Sequence, residues 1–254
     1  MKQKLFSLLV LSVGVTLLAT SALAETLTVS AASSLAPAFR EIGKGFEAAH
    51  PGSRVEFNFA ASGVLLQQIA HGAPVDLFAS ADQETMDRAV AGNHIKRETR
   101  VNFIGNRLVV IVPKNSSLKI TRLKDLASAD IKYVVIGNPS TTPNGRYARS
   151  AMQAAGVWEA VKPKSVLAES ARQSLSYVGR GEVEAGFAFA SDAKQDESKV
   201  KVVLAVPTTT SHPIVYPIAE VASSKSKLGS AFIAYVRSPD GQKVLERYGF
   251  IPVH

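Results

Sequence analysis

Four short segments of small and hydroxyl-bearing residues carry the most informative chemistry in this sequence. They are residues 31–34 (AASS), 60–63 (AASG), 138–145 (NPSTTPNG) and 169–171 (ESA). Each follows an apolar, β-branched run typical of a strand and precedes a segment with helical periodicity. The first N–H groups of a helix lack intrahelical acceptors, and the helix dipole places partial positive charge there. Each junction is therefore a candidate site for a small anion.

The residue types at these junctions narrow the class of anion. A nucleotide phosphate would typically meet a G-x-x-x-x-G-K-[ST] loop, and the sequence contains none. A carboxylate usually recruits a bidentate arginine, and Arg146 and Arg172 are near enough to two junctions to keep that class open. Serine is also a preferred N-cap, so each junction could be only a helix cap. At this point three interpretations of the junctions remain: an oxyanion site, a carboxylate site, or helix caps without a ligand.

The elements that must position the junctions alternate between strands and helices. After the first strand, one helix face is predicted by residues at helical spacing, namely Leu35, Phe39, Ile42 and Phe46. Ser33 or Ser34 is its predicted N-cap, and Pro37 fits its first turn. Such alternation is typical of an α/β fold with mainly parallel sheets covered by helices. The carboxyl ends of parallel strands meet at one edge, so we expect the junctions to lie there.

No Gly/Ser-rich or Pro-rich linker divides the chain, so two lobes would have to be joined through strands. The candidates for the two crossovers are the apolar runs at residues 107–114 (RLVVIVPK) and 213–221 (PIVYPIAEV). That arrangement would return the C-terminal helices, predicted from Leu228 onward, to the first lobe.

Residues 1–24 have the pattern of a secretory signal peptide. Lys2 and Lys4 precede an apolar stretch that closes on Ala22-Leu23-Ala24, which predicts cleavage after Ala24 and a periplasmic protein. The alternative is an N-terminal membrane anchor, for which the apolar stretch is short. Cleavage would leave 27 basic and 21 acidic residues, a net charge of +6.

Composition excludes several classes of protein. With 46% hydrophobic and 20% charged residues the chain is neither disordered nor fibrous, and with no Cys it has neither disulfides nor thiol chemistry nor a Cys-ligated metal. The pI near 9.7 raises nucleic acid as a partner. Because Lys and Arg are scattered and the chain is predicted to be exported, no nucleic-acid partner is expected.

An exported serine hydrolase is the alternative from a different functional class. Ser33, Ser34 or Ser62 could be a nucleophile, and the candidate bases are His50, His71, His94, His212 and His254. The sequence contains neither G-x-S-x-G nor H-E-x-x-H, and the histidines follow no recognisable pattern. We therefore expect no enzymatic activity, no cofactor and no metal bound directly by the protein.

Extended segments of the sequence resemble the periplasmic molybdate-binding proteins of ABC transporters. The resemblance begins with TLTVSAASSLAPAFREIGKGFE, FNFAASGVLLQQI, GAPVDLFASADQETMD and GNRLVVIVPK. It continues through NPSTTPNGRYARSAM, LAESARQSL, FASDA and LERYGF, in order over essentially the whole mature chain. It implies a two-lobed type II periplasmic binding-protein fold with two crossover strands as the hinge. We accordingly expect residues 25–106 and 219–254 in lobe 1 and residues 107–218 in lobe 2.

The resemblance also implies how the ligand is held. Proteins of this family close on molybdate or tungstate and hold the anion by neutral hydrogen-bond donors. Ser34 and Ser62 match serines that donate both hydroxyl and backbone N–H. Asn144 and Ala171 stand where the family often has Ala and Val, which donate through the backbone N–H alone.

Phe189 departs from the family pattern, because it stands where the resemblance implies a tyrosine that donates to the anion from the second lobe. A hydrogen bond to a charged group contributes about 1.5–3 kcal/mol, so its absence would weaken binding roughly tenfold or more unless Tyr147, water or another donor compensates. A third possibility is that specificity has moved to another oxyanion. We expect Phe189→Tyr to tighten molybdate binding measured by calorimetry; unchanged or weaker binding would contradict a missing donor.

The resemblance further implies a membrane permease and an ATPase as partners of a monomeric binding protein. The sequence does not separate molybdate from tungstate, because both are dianions of nearly the same size. Sulfate, thiosulfate, phosphate or a metal chelate is the alternative solute.

Overall fold

Two five-stranded mixed sheets flanked by helices make up the computed structural model, which describes residues 25–207 and 213–253. Within these residues the strands are β1 (Glu25–Ala32), β2 (Ser53–Ala60), β3 (Leu77–Ala79), β4 (Val101–Asn106), β5 (Leu108–Pro113), β6 (Val134–Gly137), β7 (Ser165–Ala168), β8 (Ala185–Phe189), β9 (Val200–Ala205) and β10 (Ile214–Glu220). The α-helices are α1 (Ala36–Ala49), α2 (Ser62–Ala70), α3 (Gln83–Ala91), α4 (Pro143–Ala154), α5 (Trp158–Val161), α6 (Ala171–Gly179), α7 (Ala190–Gln195), α8 (Gly229–Arg237) and α9 (Pro239–Arg247). The predicted signal peptide lies outside the described residues.

The first sheet has the strand order β2-β1-β3-β10-β4, and the second has the order β7-β6-β8-β5-β9. In the first, β1 runs parallel to β2 and β3, and β10 runs antiparallel to β3 and β4. In the second, β6 runs parallel to β7 and β8, and β5 runs antiparallel to β8 and β9. The predicted two-lobed α/β fold with mixed sheets is therefore confirmed, and each lobe contains one group of parallel strands whose carboxyl ends share an edge.

The chain passes between the sheets where one strand directly follows another. β4 ends at Asn106 in the first sheet and β5 begins at Leu108 in the second, so Arg107 alone connects them. On the return, β10 pairs with β4 from Ile214 onward. Residues 214–218, expected in lobe 2, thus belong to the first sheet, because β10 pairs antiparallel with β4 over residues 214–218 and with β3 over residues 218–220.

The predicted face of α1 is confirmed by burial, since Leu35, Phe39, Ile42 and Phe46 are all buried. The C-terminal helices α8 and α9 pack against α1, as expected from the sequence. Phe232 of α8 meets Phe46 edge to face at 5.2 Å between ring centroids. In the described part of the chain, no helix combines the length and the apolar character needed to cross a membrane.

Candidate anion-binding site

The four strand–helix junctions converge on one small cavity between the lobes. Two junctions follow the paired parallel strands β1 and β2, and two follow the paired parallel strands β6 and β7. The residues that line the cavity are Ala32, Ser33, Ser34, Ala60, Ala61, Ser62, Ala81, Thr142, Pro143, Asn144, Ala171 and Phe189. All five residues named from the sequence, Ser34, Ser62, Asn144, Ala171 and Phe189, are in this set and are buried.

The junction serines Ser34 and Ser62 are not helix caps. Ser34 lies in a 3₁₀ turn (Ser33–Leu35), and neither α1 nor α2 receives a hydrogen bond from an N-cap side chain. The predicted N-cap at Ser33 or Ser34 is therefore wrong, although Pro37 does lie in the first turn of α1. At the other two junctions Thr142 and Ser170 are true caps, which accept from the N–H groups of Gly145 and Gln173.

The Asn106 side chain has a fixed orientation. Its Oδ1 accepts from the backbone N–H groups of Arg107 at 2.9 Å and Ser191 at 3.4 Å. Its Nδ2 therefore faces the other way and donates to Ser191 Oγ at 2.8 Å and Tyr216 Oη at 3.2 Å. The Tyr216 hydroxyl is thus an acceptor towards Asn106.

The hydrogen bond from Asn106 to Tyr216 also bears on which atom donates between Tyr216 and Ser34. Burial raises the pKa of the Tyr216 phenol well above its usual range, so the hydroxyl keeps its proton. Since Oη already accepts from Asn106, that proton is free for Ser34 Oγ, which lies 3.0 Å away. Ser34 Oγ is then the acceptor in this contact, and its own hydrogen is free to point into the cavity.

Ser62 is held in the same way by a different partner. Ala81 donates its backbone N–H to Ser62 Oγ at 3.0 Å. A serine hydroxyl that accepts one hydrogen bond still carries its own proton for donation. Both serines of the first lobe are therefore oriented as donors towards the cavity by their neighbours.

Backbone N–H groups at the helix starts provide further hydrogen-bond donors around the cavity. Ser62 and Ala171 are the first residues of α2 and α6, and Asn144 is the second residue of α4. N–H groups in these positions have no intrahelical acceptor and carry the partial positive charge of the helix end. The cavity is thus surrounded by neutral donors that suit a buried anion.

Neither arginine considered from the sequence lines this cavity. Arg146 crosses to the first lobe and donates to Asp82 Oδ2 through Nε at 3.0 Å and Nη2 at 2.5 Å. Arg172, with Arg40 and Glu169, lines an adjoining pocket that shares Ser33, Ala60 and Ala61 with this cavity. All the lining residues are uncharged, which disfavours a site built around a carboxylate and an arginine.

The two lobes are in direct contact around the cavity. Besides the Arg146–Asp82 pair, Gly63 of α2 donates its backbone N–H to the Thr141 carbonyl at 3.0 Å. A Cβ on Gly63 would lie 2.6 Å from that oxygen, so only glycine allows this close approach. The structure is therefore a closed arrangement of the lobes.

Phe189 presents an apolar ring to the cavity. Its centroid lies 5.8 Å from that of Tyr216 and 6.4 Å from that of Tyr147, both edge to face. Tyr147, considered above as a replacement donor, instead lines a separate cavity beside Asp82 and Arg146. Burial and the Asp82 carboxylate raise its pKa. Tyr147 does not replace a hydroxyl at position 189 in this arrangement.

A buried carboxyl group lies just beyond Phe189. Asp192, in the first turn of α7, is buried, and its Oδ2 has no hydrogen-bond partner within the described residues. Burial raises the pKa of Asp192 to about 7, against the lowering effects of Arg172 and of the Phe189 backbone N–H. Near neutral pH this group is therefore poised between its protonated and ionised forms.

Asp192→Asn is expected to raise stability more at pH 8 than at pH 5. The pKa of Asp192 is about 7 in the folded chain, above its ordinary value of 3.8. Between these two pH values the folded chain keeps a proton that the unfolded chain has released. The free energy of unfolding therefore falls as pH rises through this window, by about 3 kcal/mol from pH 5 to pH 8. Asparagine does not titrate, so the Asp192→Asn protein does not lose this stability. Urea unfolding at both pH values measures the difference. The matched control is Asp240→Asn, in the exposed first turn of α9; an equal gain at both pH values for Asp192→Asn would contradict the expectation.

The histidines that the hydrolase hypothesis requires lie elsewhere. His50 Nδ1 and His71 Nδ1 bond to helix carbonyls, of Phe46 at 3.0 Å and Gln67 at 2.7 Å. His212 and His254 lie outside the described residues. The described range also contains no group of three or more His, Cys, Asp or Glu placed to hold a metal ion.

Residues 27–251 match the family model described as bacterial extracellular solute-binding protein. The chain belongs to this family. Membership gives this solute-binding protein a binding role and an extracytoplasmic location. The molybdate-binding protein ModA of Escherichia coli is 36% identical to it over 88% of each chain.

Two solved structures share the fold of this solute-binding protein. The periplasmic molybdate-binding protein of Azotobacter vinelandii superposes with a TM-score of 0.80 at 21% identity, over 90% of this chain and 100% of that one. The sulfate-binding protein SubI of Mycobacterium tuberculosis superposes with a TM-score of 0.79 at 20% identity, over 90% of this chain and 87% of that one. At such identities the likeness establishes the fold alone.

Proposed function

We propose that this protein captures molybdate in the cavity between its lobes and delivers it to the membrane permease and ATPase of an ABC transporter. Tungstate, a dianion of nearly the same size, is the second ligand. The role requires no cofactor and no catalytic activity, and the metal is bound as its oxyanion rather than by protein ligands.

The observation that carries this proposal is a small cavity lined entirely by uncharged residues, into which two oriented serine hydroxyls and three helix starts can donate. A dianion whose charge is spread over four oxygens can be met by N–H and O–H groups at every oxygen. No cation has to be desolvated with it, so the large penalty of burying an ion pair is avoided. The 36% identity to a molybdate-binding protein supports the choice of molybdate.

We assign the binding of the anion to Ser34, Ser62, Asn144 and Ala171. The two serines donate to it through both the hydroxyl and the backbone N–H. Phe189 closes the cavity without donating. We further propose that the mature protein begins at Glu25 after cleavage behind Ala24, and that it acts in the periplasm as a monomer.

A competition titration tests the proposal. Calorimetry of the mature protein with molybdate, tungstate, sulfate and phosphate should give one saturable site for molybdate and tungstate, which displace each other. Sulfate has the same charge and shape but shorter bonds, so it should leave some donors of a closed cavity unmet and bind more weakly. Saturable binding of sulfate alone would overturn the assignment.

A further inference from the structure

The side chain of Asn144 is the unexplained polar group in the cavity. Both of its amide atoms, Oδ1 and Nδ2, are buried without a hydrogen-bond partner among the described residues, and the residue is 1% exposed. Buried amides are nearly always paired, because an unmet donor or acceptor loses its water without compensation. Asn144 also lines the cavity. Its amide therefore lacks a partner at the very place where a ligand would supply one.

Close packing around Gly137 confines this amide to the junction between β6 and α4. A Cβ on Gly137 would collide with Asn144 Oδ1 and with Thr142 Oγ1, so the end of β6 lies directly against the start of α4. A Cβ on Gly145 would likewise collide with the Gly137 carbonyl. The Asn144 amide is thus packed against the end of β6, with Oδ1 as the atom nearer to Gly137.

We propose that Asn144 Nδ2 donates a hydrogen bond to the bound oxyanion, in addition to the Asn144 backbone N–H. This inference rests on the proposed oxyanion binding. Asn144 then supplies two donors from the first turn of α4, where the helix end also carries partial positive charge. This second donor offsets the hydrogen bond that Phe189, in the same lobe, cannot donate to the anion. Asn144 accordingly binds the anion through its side chain as well as its backbone.

Asn144→Ala is the decisive variant, because alanine keeps the backbone N–H and removes only the amide. We expect the calorimetric Kd for molybdate to rise about 10- to 150-fold, as for the loss of a hydrogen bond to a charged group. The urea midpoint of the ligand-free protein should stay the same or rise, since no protein partner loses a bond. Asn144→Asp, nearly the same in shape, replaces the donor by a carboxylate and should abolish measurable binding.

Asn115→Ala, at an exposed asparagine, is the matched control and should bind like the parent protein. A Kd for Asn144→Ala within twofold of the parent value would overturn the inference. So would a fall in the ligand-free urea midpoint that accounts for the lost affinity, because that result would assign the amide to the fold.

The same titrations separate this inference from the proposed function. If the parent protein binds tungstate, sulfate or phosphate but not molybdate, the proposed ligand is wrong and the Asn144→Ala comparison is made with the anion that binds. If the parent binds none of the four oxyanions, both proposals fail. If it binds molybdate and Asn144→Ala binds equally well, only the role of Asn144 fails.

Discussion

Arg146→Met is expected to weaken molybdate binding at least a hundredfold, although Arg146 does not line the anion cavity. Arg146 of α4 joins the lobes through Asp82 Oδ2 and also donates to Thr85 Oγ1 at 2.7 Å. The Arg146 and Asp82 side chains are only 9% and 5% exposed. Removing one partner of a buried ion pair costs about 3–5 kcal/mol, because the other charge stays buried alone.

This penalty falls on the closed arrangement alone, since separating the lobes would return Asp82 to water. A smaller closed population raises the apparent Kd by the same factor, and 3 kcal/mol is more than a hundredfold. Calorimetry measures the loss, and small-angle scattering without ligand should detect a larger radius of gyration. The control is Arg149→Met, at an exposed position on the same helix. If Arg146→Met binds like the parent protein, the ion pair does not favour closure.

Ser62→Ala is expected to weaken molybdate binding about 10- to 150-fold and also to destabilise the ligand-free protein. Alanine removes a hydroxyl donor to the anion, which contributes about 1.5–3 kcal/mol. It also leaves the Ala81 N–H, now bonded to Ser62 Oγ at 3.0 Å, without that acceptor. An unmet buried N–H lowers the free energy of unfolding by about 1–3 kcal/mol.

Calorimetry and urea unfolding measure the two effects of Ser62→Ala separately. Ser174→Ala is the matched control, because Ser174 is equally buried in α6, lies outside the cavity and has an Oγ without a partner in the described residues. It should change neither affinity nor stability by a comparable amount. A Ser62→Ala protein that is less stable but binds molybdate normally would show that Ser62 only supports Ala81.

Local periodicity predicts an element that has a regular apolar pattern of its own. A buried face such as that of α1 depends only on the spacing of its own apolar residues. The strand β4 has no such pattern, because its sequence, VNFIGN, mixes apolar residues with Asn and Gly, which are common in turns. The six-residue helix α7 is too short to show a helical period.

The end of the second lobe was misplaced because strand order is not a local property. The run at residues 213–221 has the composition of a buried strand, which would suit either sheet. Its pairing with β3 and β4 from Ile214 onward is what assigns it to the first. The capping role of Ser34 was wrong for a similar reason: its partner, Tyr216, is 182 residues away in the sequence.

The sequence by itself determined which residues could surround an anion, because strand–helix junctions with small and hydroxyl residues are visible in one dimension. The tertiary structure decided what each one does. It orients the hydroxyls of Ser34 and Ser62 through Tyr216 and Ala81 and places Arg146 across the cleft against Asp82. It also leaves the Asn144 amide without a hydrogen-bond partner among the residues that the structure describes. A hydrogen-bond direction depends on every neighbour that already donates or accepts, and those neighbours come together only in the folded chain.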